Sequence, residues 1–70
     1  MIGQTELANR FIYHPPKDGQ ADRYIAIREE AHRLAAKLDE WVPDSREKSL
    51  AMTHLEDAVM WANAAIARNE

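Results

Sequence analysis

The stretch that decides the fold is Trp41-Val-Pro-Asp-Ser-Arg-Glu47, which separates two long helical patterns. Pro43 keeps Val42 out of the helical region and therefore ends the first helix. Asp44 and Glu47 have the spacing of a capping box, which predicts that the Asp44 side chain caps the second helix. Because so few residues join the two helices, we expect them to fold back as an antiparallel hairpin.

Apolar residues recur at helical spacing on both sides of this turn. The first pattern covers residues 20–42, and its seam consists of Tyr24, Ile27, Ala31, Leu34, Leu38 and Trp41. The second pattern covers residues 44–68, and its seam consists of Met52, Leu55, Val59, Ala62 and Ile66. Each seam predicts the face by which one helix of the hairpin contacts the other.

The residues before the hairpin, 1–19, form an N-terminal arm in this interpretation. Gln4–Asn9 is compatible with one short helix, and Pro15-Pro16 prevents a helix from continuing into the hairpin. The predicted fold class is therefore all-α, with a short N-terminal helix or arm followed by an antiparallel two-helix hairpin. At this length we expect one domain over residues 1–70.

Both long helices carry more apolar surface than a hairpin can bury. The second helix has a further stripe of Ala51, Ala58, Trp61 and Ala65, and the first has Ala21, Ile25 and Ala35 beside its seam. A chain of this size is marginally stable alone, and without cysteine it has no disulfide to help. The pattern predicts a homo-oligomer, although the sequence pattern does not set the number of copies.

The overall charge limits the classes of partner. A net charge of -3 and a pI near 5.5 disfavour a general DNA or RNA binder, including a small helical DNA-binding regulator. No apolar run approaches the roughly 18 residues of a membrane helix, and the first residues do not resemble a signal peptide. We therefore expect a cytosolic protein with neither a DNA partner nor a membrane partner.

Residues suited to catalysis or metal binding are scattered. Ser45 and Ser49 lie at a helix start, where capping is the simpler role. A metal site at His54, Glu56 and Asp57 is disfavoured, because Glu56 points nearly opposite to His54 on a helix. The three histidines lie in different elements, at His14, His32 and His54. We predict no catalytic site, no metal and no cofactor.

Cations and aromatic residues gather at the open end of the predicted hairpin. The end of the second helix should return beside the start of the first, which brings Arg68 close to Lys17, Asp18 and Arg23. The arm adds Arg10, Phe11, Tyr13 and His14. Such a group suits phosphates and stacked bases. Alternatively, Phe11 and Tyr13 dock the arm onto a neighbouring subunit, Arg68 complements its helix dipole, and Arg28 pairs with a glutamate.

Several blocks of this sequence resemble the small phage-encoded anti-CBASS cyclic-oligonucleotide sponges. The resemblance covers about Asn9 to Glu70. Its motifs are Arg10-Phe-Ile-Tyr-His14, Arg23-Tyr24, Ile27-Arg28, Pro43-Asp-Ser-Arg-Glu-Lys-Ser-Leu-Ala51 and Met60-Trp-Ala-Asn-Ala-Ala-Ile-Ala-Arg-Asn-Glu70. The blocks from Pro43 and from Met60 are the specific ones. Relatives often have Cys before the Pro-Asp-Ser block, where this chain has Val42.

The resemblance implies a function for the whole chain. Proteins of this family are helical hairpins that assemble into hexamers and hold cyclic dinucleotides, such as 3′,3′-cGAMP, and cyclic trinucleotides without cleaving them. Sequestering these messengers keeps CBASS effectors inactive in the cytoplasm of the infected bacterial host. The alternative from the residues alone is a small helical adaptor that inhibits a host protein by direct contact.

The resemblance also implies roles for particular residues. Tyr13 and Arg28 match the pair that holds a cyclic dinucleotide, and Lys17 is a weaker rival of Arg28. Arg68 matches the arginine of a separate cyclic trinucleotide pocket. From their positions we add Phe11 and His14 to the dinucleotide site and Arg23 to the trinucleotide site.

Overall fold

The computed structural model describes all 70 residues and contains three helices and no strand. Helix α1 covers Gln4–Phe11, α2 covers Gln20–Trp41, and α3 covers Arg46–Asn69. Helices α2 and α3 pack against each other, whereas α1 makes few contacts with either. The predicted all-α hairpin is confirmed.

The arm helix α1 is two residues longer than the sequence pattern predicts. Arg10 donates a hydrogen bond to Glu6 one turn earlier, at 2.7 Å, which supports the added residues. Helix α1 ends where Ile12 turns extended, and the Ile12 N–H donates to the Ala8 carbonyl. The segment through Pro15-Pro16 is not helical, as expected of two successive prolines.

At the turn between the long helices, the predicted cap is wrong. The N-cap of α3 is Ser45, whose hydroxyl accepts a hydrogen bond from the Lys48 N–H at 3.1 Å. Asp44 lies one residue before this N-cap, and its carboxylate accepts from the Lys48 ammonium at 2.9 Å. The capping-box spacing from Asp44 to Glu47 is therefore shifted by one residue relative to the helix start.

The Lys48 side chain bridges the two long helices at this turn. Besides Asp44, its ammonium contacts both the carboxylate and the main-chain oxygen of Asp39, each at 2.9 Å. The pKa of Lys48 is raised, first by the hydrogen bond to Asp39 and then by the one to Asp44. The ammonium thus joins the end of α2 to the start of α3.

The contact face of the hairpin follows the predicted seams except at two residues of α2. All five seam residues of α3 are half-buried, and so are Tyr24, Ile27, Ala31 and Leu38 of α2. Leu34 and Trp41, however, are 45% and 68% exposed, and half-buried Ala35 replaces Leu34 in the contact face. The reason is that a straight helix drifts by about 20° per heptad from a strict seven-residue repeat.

The molecule is a single layer of helices. Its dimensions are 46 × 33 × 13 Å, and a helix with its side chains is roughly 10–12 Å across. The radius of gyration is 15.5 Å, whereas a compact domain of this length would have about 11 Å. No hydrophobic side chain is fully buried, and the one buried residue is Gln20, at 3% exposure.

The surplus apolar surface that the sequence predicts is present. Trp61 is 66% exposed and Met60 is 60% exposed, and the alanines of the same stripe are also exposed. An apolar groove of about 700 Å³ lies between the long helices, where its lining includes Ile25, Met52, Leu55 and Val59. None of the three helices combines the length and the apolar character that crossing a membrane requires.

Candidate anion-binding site

The open end of the hairpin brings the end of α3 beside the start of α2, as the antiparallel prediction requires. The Gln20 side-chain amide donates to the Ile66 carbonyl at 3.5 Å, and the Lys17 ammonium donates to the main-chain oxygen of Glu70. These long-range contacts fix which cations become neighbours. They divide the cations of this end into two groups.

The first group lines a cleft of about 380 Å³, which we call the arginine cleft. The arm contributes Arg10 and His14, α2 contributes Tyr24 and Arg28, and α3 contributes Asn63, Ala64, Ala67 and Arg68. Three arginines from three elements therefore line one concave surface. The two alanines leave space at its wall because their side chains are short.

The arginines of this cleft differ in how far they are neutralised. Arg10 forms an ion pair with Glu6 at 2.7 Å, whereas neither Arg28 nor Arg68 pairs with a carboxylate. Arg28 is exposed and Arg68 is half-buried. Unpaired guanidinium groups on a shared concave surface attract anions, and their fork of N–H donors fits phosphate oxygens.

Asn63 adds a polar group that sequence reasoning missed. Its Oδ1 atom is buried and has no hydrogen-bond partner, although Asn63 lines the arginine cleft. An unpaired buried acceptor is unfavourable. No spacing signal singles out Asn63, because it lies one residue beyond the seam residue Ala62 in a run of alanines.

The aromatic residues of the arm lie apart from Arg28. Tyr13 is 78% exposed and lines a neighbouring cleft of about 720 Å³ on the arm, while Phe11 is 80% exposed. His14 lines both clefts, and its Nε2 donates to the Asn9 carbonyl at 2.7 Å. Within one chain, Tyr13 and Arg28 therefore share no cleft, and His14 connects the two surfaces.

The second group of cations is held by Glu70, which contacts Arg23 through its side-chain carboxylate and Lys17 through its main-chain oxygen, and we call it the Glu70 clasp. It consists of Lys17, Gln20, Arg23 and Glu70. The Arg23 guanidinium donates to both carboxylate oxygens of Glu70, with the bond to Oε2 at 2.8 Å, and Gln20 donates to Oε1 at 3.4 Å. The hydrogen bond from Arg23 is the main reason that the pKa of Glu70 falls to about 2, and the same bond raises the pKa of Arg23.

The structure thus separates cations that the sequence grouped together. We expected Arg68 beside Lys17 and Arg23, but Glu70 makes those contacts instead. Arg68 lies in the last turn of α3, and Glu70 is the C-cap residue two positions on. Two residues along a helix correspond to a rotation of about 200°, so the two side chains leave this end in different directions. Arg68 lies in the arginine cleft together with Arg28, the residue assigned to the other ligand.

Side chains suited to metal binding do not cluster. No group of three or more His, Cys, Asp or Glu side chains is arranged to hold a metal ion. His54, the histidine weighed as a ligand, lies 3.8 Å from Asp57 one turn away. What the open end offers chemically is therefore charge and hydrogen-bond donors.

Fold and site together define a small helical hairpin with a cationic cleft at its open end. The sequence matches the family described as Acb2/Tad1, hairpin domain, over residues 4–67. The chain therefore belongs to this family, the anti-CBASS sponge family, as its motifs predicted. No curated protein and no solved structure matches the chain.

Proposed function

We propose that this protein is a sponge that binds cyclic oligonucleotides in the arginine cleft and holds them without cleaving them. The observation that carries the proposal is the pair Arg28 and Arg68, two arginines without a carboxylate partner in one cleft. Family membership supports it, because the family name is linked to cyclic-oligonucleotide binding in anti-phage defence.

The ligand chemistry suits these side chains. Each phosphodiester of a cyclic dinucleotide or trinucleotide carries one negative charge, and hydrogen bonds to charged groups contribute about 1.5–3 kcal/mol. Stacking of a base on an aromatic ring contributes about 1–3 kcal/mol. In this proposal Arg28 binds the phosphates of a dinucleotide, Tyr13 stacks on its bases, and Arg68 serves a trinucleotide.

Assembly completes the site in this proposal. Tyr13 is exposed and lies outside the arginine cleft of its own chain, so a second chain has to bring a tyrosine to Arg28. At a two-fold interface each phosphate meets the same residues twice, which suits a ligand with its own two-fold symmetry. The exposed apolar stripe around Trp61 supports a homo-oligomer, which we propose is a hexamer.

Binding alone is sufficient for the biological effect. A messenger held by the protein cannot reach a CBASS effector, so the effector stays inactive although the messenger is intact. We place this activity in the cytoplasm of the infected bacterial host, where the messengers are made. We propose that the protein is not an enzyme and uses no cofactor.

A second candidate function rests on a neighbouring surface, which shares Arg28 with the arginine cleft. The apolar groove of about 700 Å³ between the long helices is suited to an apolar helix of another protein. A small adaptor that inhibits a host protein would use this groove and leave the arginine cleft empty. Such an adaptor would copurify with its host partner in stoichiometric amount and would show no rise in melting temperature with cyclic nucleotides.

The deciding experiment mixes the purified protein with a 3′,3′-cyclic dinucleotide and follows both the melting temperature and the mass by light scattering. We expect thermal stabilisation of an oligomer and, after denaturation, recovery of the intact cyclic nucleotide by chromatography. Recovery of a linear product would rule out a sponge. No thermal shift with any cyclic dinucleotide or trinucleotide would favour the adaptor.

A further inference from the structure

We propose that the Glu70 clasp is a second anion-binding site, which the chain closes with its own carboxylate and which a phosphate group opens by displacing Glu70. The site is distinct from the arginine cleft, since Lys17 and Arg23 do not line that cleft. It therefore does not rest on the proposed function. Its ligand class is a phosphate monoester or inorganic phosphate.

The bound carboxylate shows what the site recognises. The Arg23 guanidinium meets the two oxygens of Glu70 with two nitrogens, the fork arrangement in which arginine also binds phosphate. The Lys17 ammonium contacts the same residue through its main-chain oxygen. Glu70 thus occupies the position that two oxygens of a phosphate would take.

The start of α2 adds to the attraction for an anion. This helix has 22 residues, and no side chain caps its N-terminus. Gly19 enters it with φ of 81°, a left-handed conformation that glycine adopts without strain. Unsatisfied N–H groups and the positive helix end favour a negative charge near Lys17 and Arg23.

The contact between Arg23 and Glu70 is one that another anion can replace. The side chains of Arg23 and Glu70 are 49% and 43% exposed, so water competes with their ion pair. Glu70 is the C-cap residue of α3. Gln20, by contrast, is buried and stays bonded to the Ile66 carbonyl and the Lys17 N–H when Glu70 leaves.

The strength of the competition can be bounded. Because an exposed ion pair is weak, Glu70 lowers the apparent affinity of a competing anion by at most about fivefold. Asp18 and Asp22 are the sequence neighbours of Lys17 and Arg23 and lower the net positive charge of this segment. Binding therefore depends on direct contact with Arg23 and not on the general field of the surface.

The test is a titration of the full chain with inorganic phosphate, followed by ¹H–¹⁵N NMR. In Glu70→Gln, which keeps the shape of Glu70 but loses its charge, we expect the signals of Gly19, Gln20 and the Arg23 side chain to shift. The dissociation constant should be roughly two- to fivefold lower than in the wild type, the gain expected when an exposed ion pair no longer competes. Glu70→Gln combined with Arg23→Gln should show none of these shifts.

Several outcomes would overturn the proposal. One is a folded Glu70→Gln variant, verified by its helical circular dichroism, whose signals near Gly19 do not respond to phosphate; the clasp would then only close the hairpin. Another is a response confined to Arg28 and Arg68. A cyclic dinucleotide titration of the same samples tests the sponge function separately, because that ligand should shift the arginine cleft whether or not Glu70 is present.

Discussion

Two groups of cations lie at the same end of this hairpin and differ in how many of their members have a partner within the chain. In the arginine cleft, Arg28 and Arg68 have no acidic partner. In the Glu70 clasp, Lys17 and Arg23 are both bound to Glu70. The difference shows that a surface is ready for an anionic ligand when its cations are unpaired. The number of cations alone does not decide this.

The two groups of cations also differ in whether they stabilise the hairpin. The clasp joins residues 17–23 to residue 70 and thereby holds the open end of the hairpin together. Arg28 and Arg68 form no hydrogen bond that would support the hairpin in this way. Their removal should therefore change ligand binding more than stability, whereas changes in the clasp should affect stability first.

The largest effect is expected when the arginine cleft loses Arg28. Arg28→Ala should weaken binding of a 3′,3′-cyclic dinucleotide by roughly 100-fold or more, because a symmetric ligand loses two charge-assisted contacts. Isothermal titration calorimetry measures this loss. Arg33→Ala is the matched control, since Arg33 lies on the same helix and pairs with Glu30. Equal losses in both variants would mean that only total charge matters.

A second large effect concerns the assembly in which we expect the cleft to be completed. Trp61→Glu places a charge on the exposed apolar stripe and should lower the mass measured by light scattering, together with dinucleotide affinity. Ser49→Glu adds the same charge at an exposed position of α3 and should change neither. A variant with reduced mass that still binds at full affinity would show that one chain suffices.

A smaller and more selective effect is expected for Arg68. Arg68→Ala should weaken the binding of a cyclic trinucleotide by roughly 10- to 100-fold, because one arginine contact is lost from one site. The binding of a cyclic dinucleotide should be nearly unaffected. Competition binding with both ligand classes provides the measurement. Since Arg28 and Arg68 line one cleft in the chain, equal losses for both ligands would establish a shared site in place of two.

The smallest expected effect is the dependence of the clasp on pH. The pKa of Glu70 is lowered from 4.5 to about 2, so its contribution to folding is fully present above pH 4.5 and is lost as the pH falls towards 2. The difference in melting temperature between the wild type and Glu70→Gln should therefore shrink over this window. A difference that stays constant down to pH 2 would contradict the ion pair with Arg23.

The hairpin itself was predictable because its signals are local. Pro43 and the seam residues Met52 to Ile66 act through helix geometry that depends only on neighbours in the chain. The errors are those of one residue: Ser45 in place of Asp44 as the cap, and Ala35 in place of Leu34 in the contact face. Such shifts depend on the residue at which the helix begins and on helix twist, which spacing does not resolve.

The grouping of cations was not predictable to the same degree. The approach of α3 to α2 was expected, but the side of α3 that faces Lys17 depends on the phase of a helix of 24 residues. An error of two residues in that phase exchanges Arg68 for Glu70. The roles of Tyr13, Arg28 and Arg68 came from the family resemblance and stay predictions until the variants are measured.

The thickness of 13 Å has a consequence for how this molecule tolerates change. In a layer one helix deep, the long helices α2 and α3 each have two broad faces, and neither face is sealed from water by the chain itself. Substitutions on either face should therefore leave the hairpin folded. Their effect should instead be on the contacts that another molecule makes with that face. Gln20, the one enclosed side chain, is the exception, because the chain protects it without help.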